Sequence, residues 1–141
     1  MKRLAMVLCM AALGSPAVAQ TEPEDEFKAA AERWIAHGTA GIRYVSPRGW
    51  RGTFKTNMKA GKTNFVGFSG PDSMCYEHGT RTTVAYRAPE LVFDFHMPVK
   101  GCTPPQYRFN PVTGQGKIFH SADGGKTWGQ MTSNYSLTLV K

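Results

Sequence analysis

The sequence has 141 residues, with 17 Lys and Arg against 10 Asp and Glu for a formal net charge of +7. At 41% hydrophobic, 19% charged and 11% aromatic it lies in the ordinary globular range, which excludes wholesale disorder, a collagen-like helix and a coiled coil. Its length makes one domain the ceiling.

Residues 1–19 read as an export signal. Lys2 and Arg3 form a basic start, Leu4 to Leu13 an apolar stretch, and Ala17-Val18-Ala19 a small-x-small cleavage site ahead of Gln20. The apolar stretch breaks at Gly14-Ser15-Pro16, short of the roughly 18 residues a membrane anchor needs. Cleavage leaves residues 20–141 as a single domain of 122 residues, with 15 basic and 10 acidic groups for a net charge of +5. No later apolar run exceeds three residues, so no transmembrane segment is expected, and the mature chain is placed in the periplasm or the medium.

The first element is a helix over residues 22–37. Thr21 and Glu24 have capping-box spacing, Pro23 suits the first turn, and Glu22, Glu24, Asp25 and Glu26 lie at the positive end of the helix dipole. Arg33 and His37 stand at the negative end, and Gly38 follows as the C-terminal cap. Phe27, Ala30, Ala31, Trp34 and Ile35 recur on one apolar face, which would dock on a sheet.

From residue 39 the texture changes to short β-branched and aromatic runs broken by Gly, Pro, Asn and Ser. Strands are expected over 41–45 and 50–58, the latter alternating Trp50, Gly52, Phe54 and Met58 against Arg51, Thr53, Lys55 and Asn57. This region holds six basic residues, Arg43, Arg48, Arg51, Lys55, Lys59 and Lys62, with no acid between Arg33 and Pro71. Tyr44, Trp50 and Phe54 interleave with them. Charge of one sign concentrated on one segment favours an anionic partner. Arg48, Arg51, Lys55, Lys59, Tyr44 and Trp50 are therefore the candidate binding residues. The partner would be an acidic glycan, a phosphorylated glycolipid or an acidic protein, with extracellular nucleic acid a further case. The plain alternative is a solvated basic surface.

Further strands are expected over 63–68 and 73–78. Two cysteines remain after signal removal, Cys75 and Cys102, and an even pair in an oxidising compartment most simply forms one disulfide. Arg81 to Arg87 and Leu91 to Met97 read as a hairpin across Ala88-Pro89. In that register Val84 and Tyr86 meet Phe93 and Leu91 inside, while Arg87 opposes Glu90, Thr83 opposes Asp94 and Arg81 opposes His96 outside. His96, Asp94 and Arg81 are the alternative catalytic set, for a small secreted hydrolase. Neither a His-Glu-x-x-His nor a Cys-His ligand pattern is present, and no metal or cofactor is assigned.

The remaining strands are expected over 106–110, 116–120, 126–131 and 134–140. Between them Ser121-Ala-Asp-Gly-Gly-Lys-Thr-Trp128 follows the apolar strand ending at His120 and fits S-x-D-x-G-x-T-W. This resembles the Asp-box hairpin of sialidases and other β-propellers. Asp123 can accept N–H bonds within its own turn, Gly125 permits a left-handed backbone, Ser121 and Thr127 complete the pattern, and Trp128 can cover the hairpin. The motif occurs once and the chain is too short for a propeller, so the resemblance implies a structural hairpin and not sialidase activity. Small bacterial ribonucleases of the barnase type carry a similar hairpin with a catalytic His after its Asp. Gly124 stands at that place here.

The expected fold is mainly β with an α+β arrangement: an N-terminal helix packed on a small antiparallel sheet curled into a barrel or sandwich. The expected function is that of an exported, non-catalytic binding module for an anionic partner. The alternatives are a small secreted hydrolase, ribonuclease-like or other, and an inhibitor or immunity protein of an exported enzyme.

Overall fold

The computed structural model describes residues 23–49, 51–58, 62–66, 80–96, 100–131 and 135–141. The expected export signal, Trp50, Lys59, the expected strand 73–78 and Cys75 lie outside the described residues. The chain is mainly β: helix α1 (Pro23–His37) precedes β1 (Thr39–Val45), β2 (Arg51–Asn57), β3 (Lys62–Val66), β4 (Thr80–Arg87), β5 (Glu90–His96), β6 (Gln106–Phe109), β7 (Gln115–His120), β8 (Gly129–Gln130) and β9 (Ser136–Val140).

All pairings are antiparallel. They run in chain order from β1 to β7; β7 then pairs β9 at its start and β8 at its end, and β9 returns to β1. The sheet thus curls back on itself. At the β3–β4 seam the described pairs are Lys62 with Arg81 and Thr63 with Thr80. Curling removes exposed strand edges, which a short flat sheet would leave open to aggregation.

The period of two along each strand decides what fills the interior. Ile42, Tyr44, Phe54, Leu91, Phe93, Phe95, Tyr107, Phe109, Ile118, Leu137 and Leu139 form one buried cluster inside the curl. Its centre is aromatic: Phe93 meets Phe109 edge-on at 5.3 Å, Phe95 meets Tyr107 edge-on at 4.7 Å, and Phe54 reaches Tyr107 at 6.2 Å. Such tilted pairs add attraction beyond the apolar area they bury.

Helix α1 closes the end of the curl where the 110–114 turn lies. Ala31 belongs to the buried cluster, with Trp34 and Ile35 packed against it. The Trp34 indole N–H donates to the Pro111 carbonyl at 3.0 Å, which ties the helix to that turn. Gly38, at φ 83°, donates its N–H to the Ile35 carbonyl, and its own carbonyl accepts from Met58 N at the end of β2. The C-terminal cap read from the sequence therefore also sets the helix against the barrel end. Near the helix start the Tyr86 hydroxyl is enclosed without a hydrogen-bond partner among the described residues. Burial pushes its pKa up, and the Glu24 carboxylate adds to the rise.

The expected strand 126–131 shortens to Gly129–Gln130. Lys126 N and Thr127 N donate to Asp123 Oδ1 at 3.0 and 2.8 Å, so these amides serve the loop and not a ladder.

Candidate functional site

The β1–β2 hairpin alternates strictly. Ala40, Ile42, Tyr44, Gly52, Phe54 and Thr56 are buried, while Arg43, Arg51 and Lys55 are exposed. Arg43 pairs across the ladder with Thr53, whose neighbours two residues away on the same face are Arg51 and Lys55. Diagonal positions of this kind stand about 7–8 Å apart, so three cations surround one threonine. Arg48, also exposed, lies in the connecting turn that Gly49 closes by donating its N–H to the Ser46 carbonyl. On the flank Arg43 faces Thr138 of β9. Strands β1, β2, β3 and β9 contain no Asp or Glu. The face therefore gathers cations on strands that carry no carboxylate of their own.

Tyr44 is a correction to the sequence expectation. It is 7% exposed and stacks on Tyr135 at 5.3 Å, inside the curl. Its place between Arg43 and Val45 on a strand turns it to the opposite face from the cations. Trp50 and Lys59, the other two expected binding residues not seen on this face, lie outside the described residues.

The outer face of β4–β5 has the expected register, with Arg81 opposite His96, Thr83 opposite Asp94 and Arg87 opposite Glu90. Its hydrogen bonds run differently from the alternative catalytic set. Asp94 Oδ2 accepts from Arg87 at 2.9 Å and Oδ1 accepts from Gln106 Nε2 at 2.5 Å. Gln106 Oε1 in turn accepts from Arg108 Nε at 2.6 Å, and the Arg108 guanidinium lies 3.8 Å from the Phe119 ring centroid and 3.9 Å from Glu90 Oε2. Among the described residues neither His96 nor Arg81 hydrogen-bonds to Asp94, so this carboxylate orients no imidazole, as a His–Asp general base would require. The sequence reading missed Gln106, which is 1% exposed at the centre of this network. The available signal was its parity: it alternates with Tyr107 and shares the outer face with Arg108.

Asp94 and His96 also line a cleft of about 660 Å³, together with Arg87, Pro104, Pro105 and Trp128. Its far wall is the 121–128 loop. There Asp123 Oδ2 accepts from the Thr127 hydroxyl at 2.5 Å, and Oδ1 accepts from the Ser121 hydroxyl at 2.7 Å besides the two backbone amides. Ser121 Oγ accepts from Gly125 N at 2.7 Å. Gly124 and Gly125 have φ of 74° and 93°, conformations that side chains rarely adopt. The Thr127 hydroxyl, then the Thr127 backbone amide and the Ser121 hydroxyl, hold the Asp123 carboxyl well below the usual carboxylate range.

The unfolded chain binds the Asp123 proton more tightly than the native loop does. This stability is present above the ordinary carboxylate value of 3.8 and is lost as pH falls below it. Asp123→Asn is expected to lower the melting temperature near neutral pH and to flatten its decline on acidification. Thermal melts of both proteins between about pH 7 and about pH 3 measure the difference, and parallel declines would remove Asp123 from the acid response.

Among the described residues no three His, Cys, Asp or Glu side chains are gathered as metal ligands, and no helix is long and apolar enough to cross a membrane. The chain matches no family model, and no curated protein or solved structure is detectably similar to it.

Proposed function

We propose that the mature chain is an exported, non-catalytic binding module that holds an anionic partner on the outer face of β1–β2. The observation that carries this reading is the grouping of Arg43, Arg51 and Lys55 around Thr53, on strands without a carboxylate. Clustered charge of one sign attracts an anionic glycan, glycolipid or acidic protein. Export and a Cys75–Cys102 disulfide belong to the same reading. Intact mass of the envelope form should begin at Gln20 and fall two hydrogens short of the dithiol. Retained residues 1–19, or two free thiols, would contradict that part.

Heparin, a sulfated glycan, is the test ligand for the face itself. Attraction by exposed cations is screened over about 10 Å at 0.1 M salt, so affinity should fall steeply as salt rises. The double variant Arg51→Glu, Lys55→Glu is expected to lose at least about tenfold in affinity with a nearly unchanged melting temperature, since outward strand positions contribute little packing. Lys117→Glu with Lys126→Glu changes the net charge equally and leaves the face intact. Equal losses in the two double variants would mean that net charge alone draws the ligand. An absence of wild-type binding at low salt would end the proposal.

A further inference from the structure

The cleft beside the Asp123 loop has a composition unlike that of the cationic face. It lies between the outer side of β4–β5, residues 102–105 and the 121–128 loop, and its volume of about 660 Å³ falls within the roughly 300–1,000 Å³ of small-molecule sites. Arg87, Asp94, His96 and Thr83 supply polar lining; Phe95, Pro104, Pro105 and Trp128 supply apolar lining.

The charges of the polar lining cancel. Arg87 and Asp94 form an ion pair at 2.9 Å, with side chains 58% and 22% exposed. An anion entering the cleft would meet the Asp94 carboxylate, and a cation would meet the Arg87 guanidinium. Hydrogen-bonding capacity nevertheless remains. Each Asp94 oxygen accepts a single side-chain bond, one from Arg87 and one from Gln106, and Arg87 donates to Asp94 through one terminal nitrogen. A carboxylate oxygen has two lone-pair sites and a guanidinium five N–H donors, and the His96 imidazole brings two ring nitrogens for hydrogen bonding. The occupant best matched to this lining is uncharged and carries groups that both donate and accept, together with an apolar face for the indole and the two prolines.

A sugar ring meets each requirement, with adjacent hydroxyls on its edge and C–H groups on its face. An extended peptide is less well suited. Beside the cleft β5 is paired with β4 throughout and with β6 from Leu91 to Asp94, so a peptide lying there would find little open edge of β5 with which to form a ladder. We infer that the cleft binds a short neutral oligosaccharide, with Asp94, Arg87 and His96 engaging its hydroxyls and Trp128 facing a ring. This site is separate from the anion-binding face and does not depend on it.

The test is an NMR titration of the purified protein with maltotriose, cellotriose and the trisaccharide of N-acetylglucosamine, following the Trp128 indole N–H resonance as assigned with Trp128→Phe. At least one trisaccharide is expected to shift this resonance at millimolar concentration. His96→Ala, a change at an exposed position, and Asp94→Asn are each expected to weaken that binding by about tenfold, while Arg51→Glu with Lys55→Glu leaves it unchanged. Asp94→Asn also touches the Gln106 network, so His96→Ala keeps the test decisive if that variant folds poorly. The inference is overturned if no trisaccharide moves the resonance, if His96→Ala binds as the wild type does, or if inorganic sulfate moves it and no sugar does.

Discussion

Phe54→Ala is expected to lower the free energy of unfolding by about 3–5 kcal/mol. Phe54 is fully buried, with its ring 6.2 Å from Tyr44 of β1 and 6.2 Å from Tyr107 of β6, so it spans the interior between two walls of the curl. Truncation removes the transfer free energy of the ring and leaves a cavity that a closed sheet collapses into poorly. Against a typical domain stability of about 5–15 kcal/mol, this one side chain decides whether the chain is folded under mild denaturant. Its neighbours Thr53 and Lys55 point outward, so the same residue fixes the register that groups the cations. Urea unfolding of the variant measures the loss. A loss below about 1 kcal/mol would mean that Phe54 does not fill the centre of the curl.

The second large effect comes from adding atoms. Gly116 on β7 pairs with Phe109 on β6, and a Cβ at Gly116 would collide with two ring carbons of Phe109 and stand 3.1 Å from Leu137 Cβ. Phe109 is itself fully buried and held edge-on by Phe93, so its ring cannot swing aside cheaply. Gly116→Ala is expected to cost about 1–3 kcal/mol through overpacking, and Gly116→Val at least as much. Trimming the obstruction should restore part of the loss: Phe109→Leu combined with Gly116→Ala should be more stable than the sum of the two single changes allows. Strict additivity in urea unfolding would show that the two residues do not meet.

The β4–β5 hairpin was legible because it buries one face and exposes the other. A slip of one residue would exchange Phe93 and Phe95 for Asp94 and His96 in the core, so the alternation pins every pair from Arg81–His96 to Arg87–Glu90. The same period placed Phe54 inward and Arg51 and Lys55 outward. Grouping residues by proximity along the chain failed at Tyr44, since neighbours on a strand point to opposite faces. The strand expected through Lys126 and Thr127 failed for another reason: the Asp123 carboxylate competes locally for their amides and wins. Closure of the sheet through β9–β1 joins residues far apart in sequence, and no local pattern announces it. Gln106 and Gly116 take their meaning from the pairing of neighbouring strands, which a single strand's pattern does not show. Gln106 meets Asp94 only once β6 lies on β5, and Gly116 admits the Phe109 ring only once β7 lies on β6. The Trp128 side of the cleft was likewise hidden, because the motif explains its place in the hairpin but not the wall that β4–β5 sets opposite it.

The measurement that tests the anion-binding face most directly is a backbone amide NMR titration with a defined heparin oligosaccharide at low salt. Saturable shifts are expected, concentrated on Arg43, Arg51, Thr53 and Lys55 with extension into the turn at Arg48, and they should collapse as salt is raised. Shifts spread evenly over all exposed basic residues, or centred on Lys117 and Lys126 while the β1–β2 amides stay still, would contradict the anion-binding proposal.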